Sequence, residues 1–320
     1  MPYWSSGNAH GGIESRVSYI YQSRHTSVSD SPLRVQLGKF ACGNAMALNF
    51  QLRRDAHAIG EFTATLAFAR PVGAAAFAKV VERLKEASEK YNLPAQMNVQ
   101  AFFIKVGNSP EPPPPGGMGF QRFAENGEIA CSLWCDSDSM ALTIRDYDRW
   151  DNARSKVVEA FGHIAPAYMA EVPAVRAFQV QYLNEFASKD SAEQPAAEIF
   201  RPSSRWLSPY SYESLQPWHC HVGQFIPSDE SSRFLVNINC DVAPQPFPPT
   251  EATRNYVKAL ILVSRQYDLH GVGPLVIEAD KLQLILEQNF DAAHALEKTL
   301  LGELISDPYL DVMGEGARDN

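Results

Sequence analysis

Residues 173–186 read PAVRAFQVQYLNEF, and their alternation decides the fold class. Phe178, Val180, Tyr182, Asn184 and Phe186 share one side of a two-residue period, with Gln179, Gln181 and Glu185 on the other. That is the pattern of a strand with one covered face and one open face. The covered side is apolar except for Asn184 and the phenol of Tyr182. A buried amide left without a partner costs about 1–3 kcal/mol. The strand is therefore expected to carry a specified polar contact inside a packed sheet, with Asn184 hydrogen-bonded at least twice.

Upstream, Glu61–Phe68 (EFTATLAF) alternates in the same way until Pro71 breaks it. Phe77, Val80, Val81, Leu84, Ser88 and Tyr91 then recur at helical spacing, which predicts an amphipathic helix over 72–92. Met97–Val106 reads as a strand, and the proline run within 110–117 as an exposed extended loop. Three short strands follow, Met118–Glu125, Ile129–Cys135 and Met140–Arg145, with Asn126-Gly127 as a hairpin signal. Trp150, Ala153, Val157, Phe161, Ile164 and Tyr168 mark the inner face of a second helix.

Downstream, 188–217 is a polar, proline-punctuated crossing. Trp218–Phe225, Arg233–Cys240 and Tyr256–Leu269 read as strands, with 244–249 (PQPFPP) as a rigid loop. Leu282, Ile285, Leu286, Phe290, Ala293, Leu296, Leu300 and Leu304 define a last long helix, after which Ser306 should cap a final turn starting near Pro308. Three long amphipathic helices on largely antiparallel strands make an α+β protein. A strand–helix–strands unit beginning near Glu61 and another near Met140 suggest a loose duplication. The expected division is 1–45, 46–187 as a first α+β unit, and 188–320 as a second packed on it. Residues 1–45 show no sustained period and read as a disordered arm, or as sequence upstream of a true start at Met46.

The net charge of -9 and pI near 5.4 argue against a general nucleic-acid binder. Five cysteines spread over 320 residues suit a reducing compartment. No apolar run approaches the roughly 18 residues that read as a membrane span. A soluble, cytoplasmic protein is the expectation.

Specific positions from about Ala58 to Glu315 resemble a sporadically distributed, uncharacterised family of bacterial and archaeal proteins. Asp138, Tyr147 and Trp150 match its hairpin and second helix, Tyr182 and Asn184 its Tyr-x-Asn strand, and Ala293-His294 and Ile305-Ser306, followed by Asp307, its last helix. Arginines that flank the Tyr-x-Asn pair in that family are Ala177, Gln181 and Glu185 here, so a ligand those arginines bind would be lost. The resemblance implies the fold and carries no activity.

Candidates for chemistry are sparse. His219-Cys220-His221 places two histidines on one face of a strand and the cysteine on the other, too few ligands for a closed metal site. Cys131 and Cys135 read as small core residues. Asp136 and Asp138 fit the backbone chemistry of a turn, and Glu278, Asp280 and Lys281 lack the context of a nuclease site. Phosphate-loop, nucleophile-elbow and zincin motifs are absent. No cofactor and no metal are expected. The favoured reading is a non-enzymatic module that binds another protein, with Tyr182, Asn184, His294, Trp206 and Tyr210 as candidate binding residues and Trp206, Tyr210 and Tyr212 as exposed aromatics of the crossing. A second copy of the chain is a further candidate partner. The alternative is a metal-assisted hydrolase with a dispersed site built from Asp136, Asp138 or the histidines. His294, at the edge of an apolar helix face, reads as a structural donor to a carbonyl or carboxylate.

Overall fold

A computed structural model describes residues 48–52, 57–99, 116–189, 196–247, 252–267 and 273–314. The arm read over 1–45, the Met46 start, the proline loop before residue 116 and the strand beyond Val99 lie outside the described residues.

The strand that decides the fold class is also the hub of the sheet. In chain order the strands are β1 (Phe50–Leu52), β2 (Ile59–Phe68), β3 (Ala95–Val99), β4 (Gly117–Phe123), β5 (Ile129–Cys135), β6 (Ser139–Ile144), β7 (Ala174–Ser188), β8 (Trp218–Pro227), β9 (Arg233–Phe247), β10 (Ala252–Gln266) and β11 (Leu275–Val276). They form one sheet in the order β3-β4-β5-β6-β2-β7-β10-β9-β8, with β1 and β11 also paired to β7. Every pairing is antiparallel. β7 takes β2 and β1 along one edge and β10 and β11 along the other. The boundary read at 187/188 therefore falls at the end of a strand that hydrogen-bonds to elements from both sides of it.

The helices are α1 (Ala74–Lys90), α2 (Trp150–Met169), α3 (Pro209–Glu213), α4 (Leu282–Leu304) and α5 (Asp307–Val312). Register explains why the long ones share one face. Ile144, Phe62, Tyr182, Ile261 and Ile238 lie opposite one another across five neighbouring strands, all buried. α1 lies over β4 and β5, α2 over β2 and β6, and α4 over β7 and β10. The protein is thus α+β, with an antiparallel sheet under three long helices. α1 ends where Asn92 turns left-handed at φ 51°, and the Leu93 amide closes the last turn on Ser88 O at 2.8 Å.

Three local readings are corrected. β9 continues through Pro244 and Pro246 to Phe247, where a loop was expected. β8 starts opposite Val242, so beyond that point β9, among the described residues, has β10 alone as a neighbour and runs as an edge. A proline can occupy an edge because its missing N–H faces no strand. Ser306 precedes α5 as expected, but its hydroxyl makes no cap; it donates to Glu198 O at 2.8 Å and ties the helix to the crossing. Glu185, read as solvent-facing, is buried on the opposite face of the sheet, where Lys258 Nζ lies 3.5 Å away. A Cβ on Gly60 would lie 2.1 Å from Glu185 Oε2, so a glycine at 60 makes room for that carboxylate.

Candidate functional site

β7, α2 and α4 bring the residues of the Tyr-x-Asn strand and the last helix together. Tyr182 Oη and His294 Nδ1 are 2.8 Å apart. The Trp150 ring stacks on the imidazole, with centroids 4.2 Å apart and planes at 17°. Its indole N–H donates to Asp291 Oδ1 at 3.1 Å, and Arg154 forms ion pairs with Asp291 and Glu287, so the start of α2 is stapled to the middle of α4. Phe62 and Tyr147 complete the ring cluster, each within 6.0 Å of Tyr182. Tyr147, Trp150, Tyr182, Asn184 and His294, five of the residues singled out in the sequence, thereby fall in one region of the core. Asp138 lies apart, paired with Arg176 at 3.1 Å.

The electrostatics follow from burial. Burial, reinforced by the nearby Lys298 ammonium and opposed by Asp291, pulls the His294 pKa down to about 4. A neutral imidazole satisfies the pair when Tyr182 donates to Nδ1, which puts the ring proton on Nε2. The expected partner, a carbonyl or carboxylate, is thus a phenol; the Glu297 carboxylate is 3.9 Å from Nδ1 and only 1% of that residue is exposed. Asn184 is fully buried as expected, but its contacts are fewer. Its Nδ2 reaches Ala259 O at 3.5 Å and, among the described residues, its Oδ1 has no hydrogen-bond partner.

The crossing aromatics separate. Trp206 is only 2% exposed, a correction to its reading as an interface anchor; its indole donates to Glu303 at 2.8 Å and the Arg205 guanidinium sits 4.6 Å above the ring. Tyr212 is half-buried and spans the loop, donating to Arg201 O at 2.8 Å and accepting from Ser204 N at 2.9 Å. Tyr210, on α3, is exposed.

Sequence reasoning overlooked the edge that follows. β8 pairs with β9 and, among the described residues, has no strand on its other side. Trp218–Pro227 contains no Asp, Glu, Lys or Arg, the residues that ordinarily guard a bare edge. Phe225 is 53% exposed with the Arg233 guanidinium 4.0 Å over its ring, and Leu215 just before the strand is 66% exposed. The signal was present as a long uncharged strand, but nothing local says which strand of a sheet is outermost.

The acidic candidates serve the backbone. Asp136 Oδ1 accepts from the amides of Asp138 and Ser139 at 2.9 and 2.7 Å. His219 pairs with Asp241 at 2.6 Å, and among the described residues no three His, Cys, Asp or Glu side chains are grouped to hold a metal. A cleft of about 530 Å³ at the end of α1, lined by Lys85, Ser88, Glu89, Asn92 and Phe120, includes none of the candidate residues. Among the described residues no helix is long and apolar enough to cross a membrane. Comparison with protein-family models finds no match for the chain, and comparison with curated proteins finds none either.

Proposed function

We propose that this protein binds a partner protein by accepting an extended segment of it along β8. The outer edge of β8, which carries no Asp, Glu, Lys or Arg and among the described residues has no strand beside it, supports this reading. An unpaired strand presents a row of amide donors and carbonyl acceptors, and a partner strand satisfies them while alternate side chains set specificity. On β8 the exposed Phe225 is an aromatic of the kind that anchors interfaces. The Tyr182–His294 cluster has a supporting part: it holds α2 and α4 on the sheet of which β8 is the border.

Selection of displayed random linear peptides against the full chain tests the reading. Enriched peptides should slow amide exchange in β8, and Phe225→Lys should lose at least ten-fold in affinity for them while its melting temperature stays unchanged. Peptides that protect other strands and ignore Phe225→Lys, or a selection that enriches nothing, would overturn it.

A further inference from the structure

Cys220 on β8 and Cys240 on β9 are directly opposed in the antiparallel register, and both are free thiols. Directly opposed residues of such a pair have Cα atoms about 4.5 or 5.5 Å apart, according to the hydrogen-bonding class. Both values fall within the roughly 4.4–6.8 Å that a disulfide spans. Both side chains lie on the same face of the sheet as Trp218, Val222, Ile238 and Val242. Cys240 is fully buried, and its thiol is held well above its ordinary pKa by burial first and by the neighbouring Cys220 second. Cys220 is half-buried, and its S–H points to Trp206 O at 3.8 Å.

The remaining described thiols have no such partner. Cys131 and Cys135 are four residues apart on one strand, roughly 13 Å. They face Arg122 and Ile144 in one case and Met118 and Met140 in the other.

We infer that Cys220 and Cys240 form a reversible disulfide that ties the border strand β8 to β9. The oxidant is a small-molecule disulfide. The Cys220 thiolate, on the more accessible sulfur, attacks one sulfur of that molecule; a mixed disulfide forms and one small thiolate leaves, taking up the Cys220 proton. Cys240 then loses its proton and attacks the Cys220 sulfur, so the protein disulfide forms and the second small thiol departs with that proton. Two electrons pass from the two protein sulfurs to the small disulfide, which becomes two thiols. The consequence is mechanical: β8, which among the described residues pairs with β9 alone, gains a covalent tie and no longer peels from the sheet. The inference rests on strand register and does not depend on the edge binding a partner.

The test uses the full chain carrying Cys42→Ser, incubated with oxidised glutathione. The intact mass should fall by two hydrogens. Tryptic peptides 206–233 and 234–254 should stay joined until a reductant is added, and amide exchange in β8 should slow. In the Cys240→Ser background, glutathione should instead remain on Cys220 as a stable adduct. Four free thiols after oxidation, Cys220 and Cys240 both among them, or a glutathione adduct persisting on Cys220 while Cys240 stays reduced, would overturn the inference, as would a loss of two hydrogens in the Cys240→Ser chain.

Discussion

His294 and His219 each bond a neighbour through Nδ1, and each has a tryptophan close by in the sequence or in space, yet they live in opposite worlds. His294 lies under the Trp150 ring in a core of packed aromatics, neutral and facing the Tyr182 phenol. His219 stands exposed on the border strand, 2.6 Å from Asp241. In the interior region Tyr182 and His294 satisfy each other, whereas the border strand β8 has, among the described residues, no strand along its outer edge. Residues whose chemistry stands out in the sequence have been drawn inside to fix the packing. The surface proposed for recognition is made of backbone and the exposed Phe225.

The largest way to break this contrast is to remove the lid of the interior region. A chain ending at Lys281 loses Leu286, Phe290, Ala293, Leu300 and Leu304, all buried against the sheet. It is expected to be insoluble, since burying each large apolar side chain is worth about 1.5–3 kcal/mol. Soluble, cooperatively unfolding protein from that chain would show that α4 is dispensable to the core.

Next in size is His294→Ala, expected to cost about 2–3 kcal/mol through the lost stack on Trp150 and the lost hydrogen bond with the buried Tyr182 hydroxyl. Urea titration measures it. A double-mutant cycle with Tyr182→Phe should return a coupling of about 1 kcal/mol, and additivity of the two changes would dissolve the pair as an energetic unit.

The pH dependence has a definite sign. The folded His294 pKa of about 4 lies below its ordinary value of 6.5, so below pH 6.5 the unfolded chain takes up a proton that the folded chain refuses. Stability therefore falls as the pH drops from 6.5 towards 4, with a slope approaching about 1.4 kcal/mol per pH unit, and the term is constant above that window. In His294→Phe this part of the slope should vanish; a slope unchanged between the two proteins assigns it to other groups.

Smaller effects sharpen the contrast. Because, among the described residues, Asn184 Oδ1 is unpartnered and the Asn184 Nδ2 bond to Ala259 O is long, Asn184→Leu is expected within about 1 kcal/mol of the parent, on either side. A loss above that would mean a satisfied amide. Phe225→Lys on the border should change stability by about 0.5 kcal/mol or less, as exposed substitutions do, and act on peptide binding alone.

Much of this architecture was legible from period alone. The apolar stripe of the last helix gave Leu282–Leu304, and the alternation of IACSLWC gave Ile129–Cys135, because the periods of 3.6 and 2 are properties of the local backbone. Parity along residues 178–186 placed Tyr182 and Asn184 on the covered face for the same reason. Local sequence also flagged His294, though not its partner.

Tertiary structure decided everything that depends on which neighbour arrives. Tyr182 and His294 are 112 residues apart, and no local rule pairs a phenol with an imidazole over that distance. Pro244 and Pro246 could join a strand only because β8 stops short of them, and Glu185 could be buried only because residue 60 has no side chain and Lys258 lies opposite. Trp206, in a polar loop, became core because the crossing folds back onto α4. The backbone period is written residue by residue, so the sequence states which face a side chain takes. Whether that face meets a helix, a strand or water is set by sheet order, and sheet order is a contest among long-range pairings that no single segment contains.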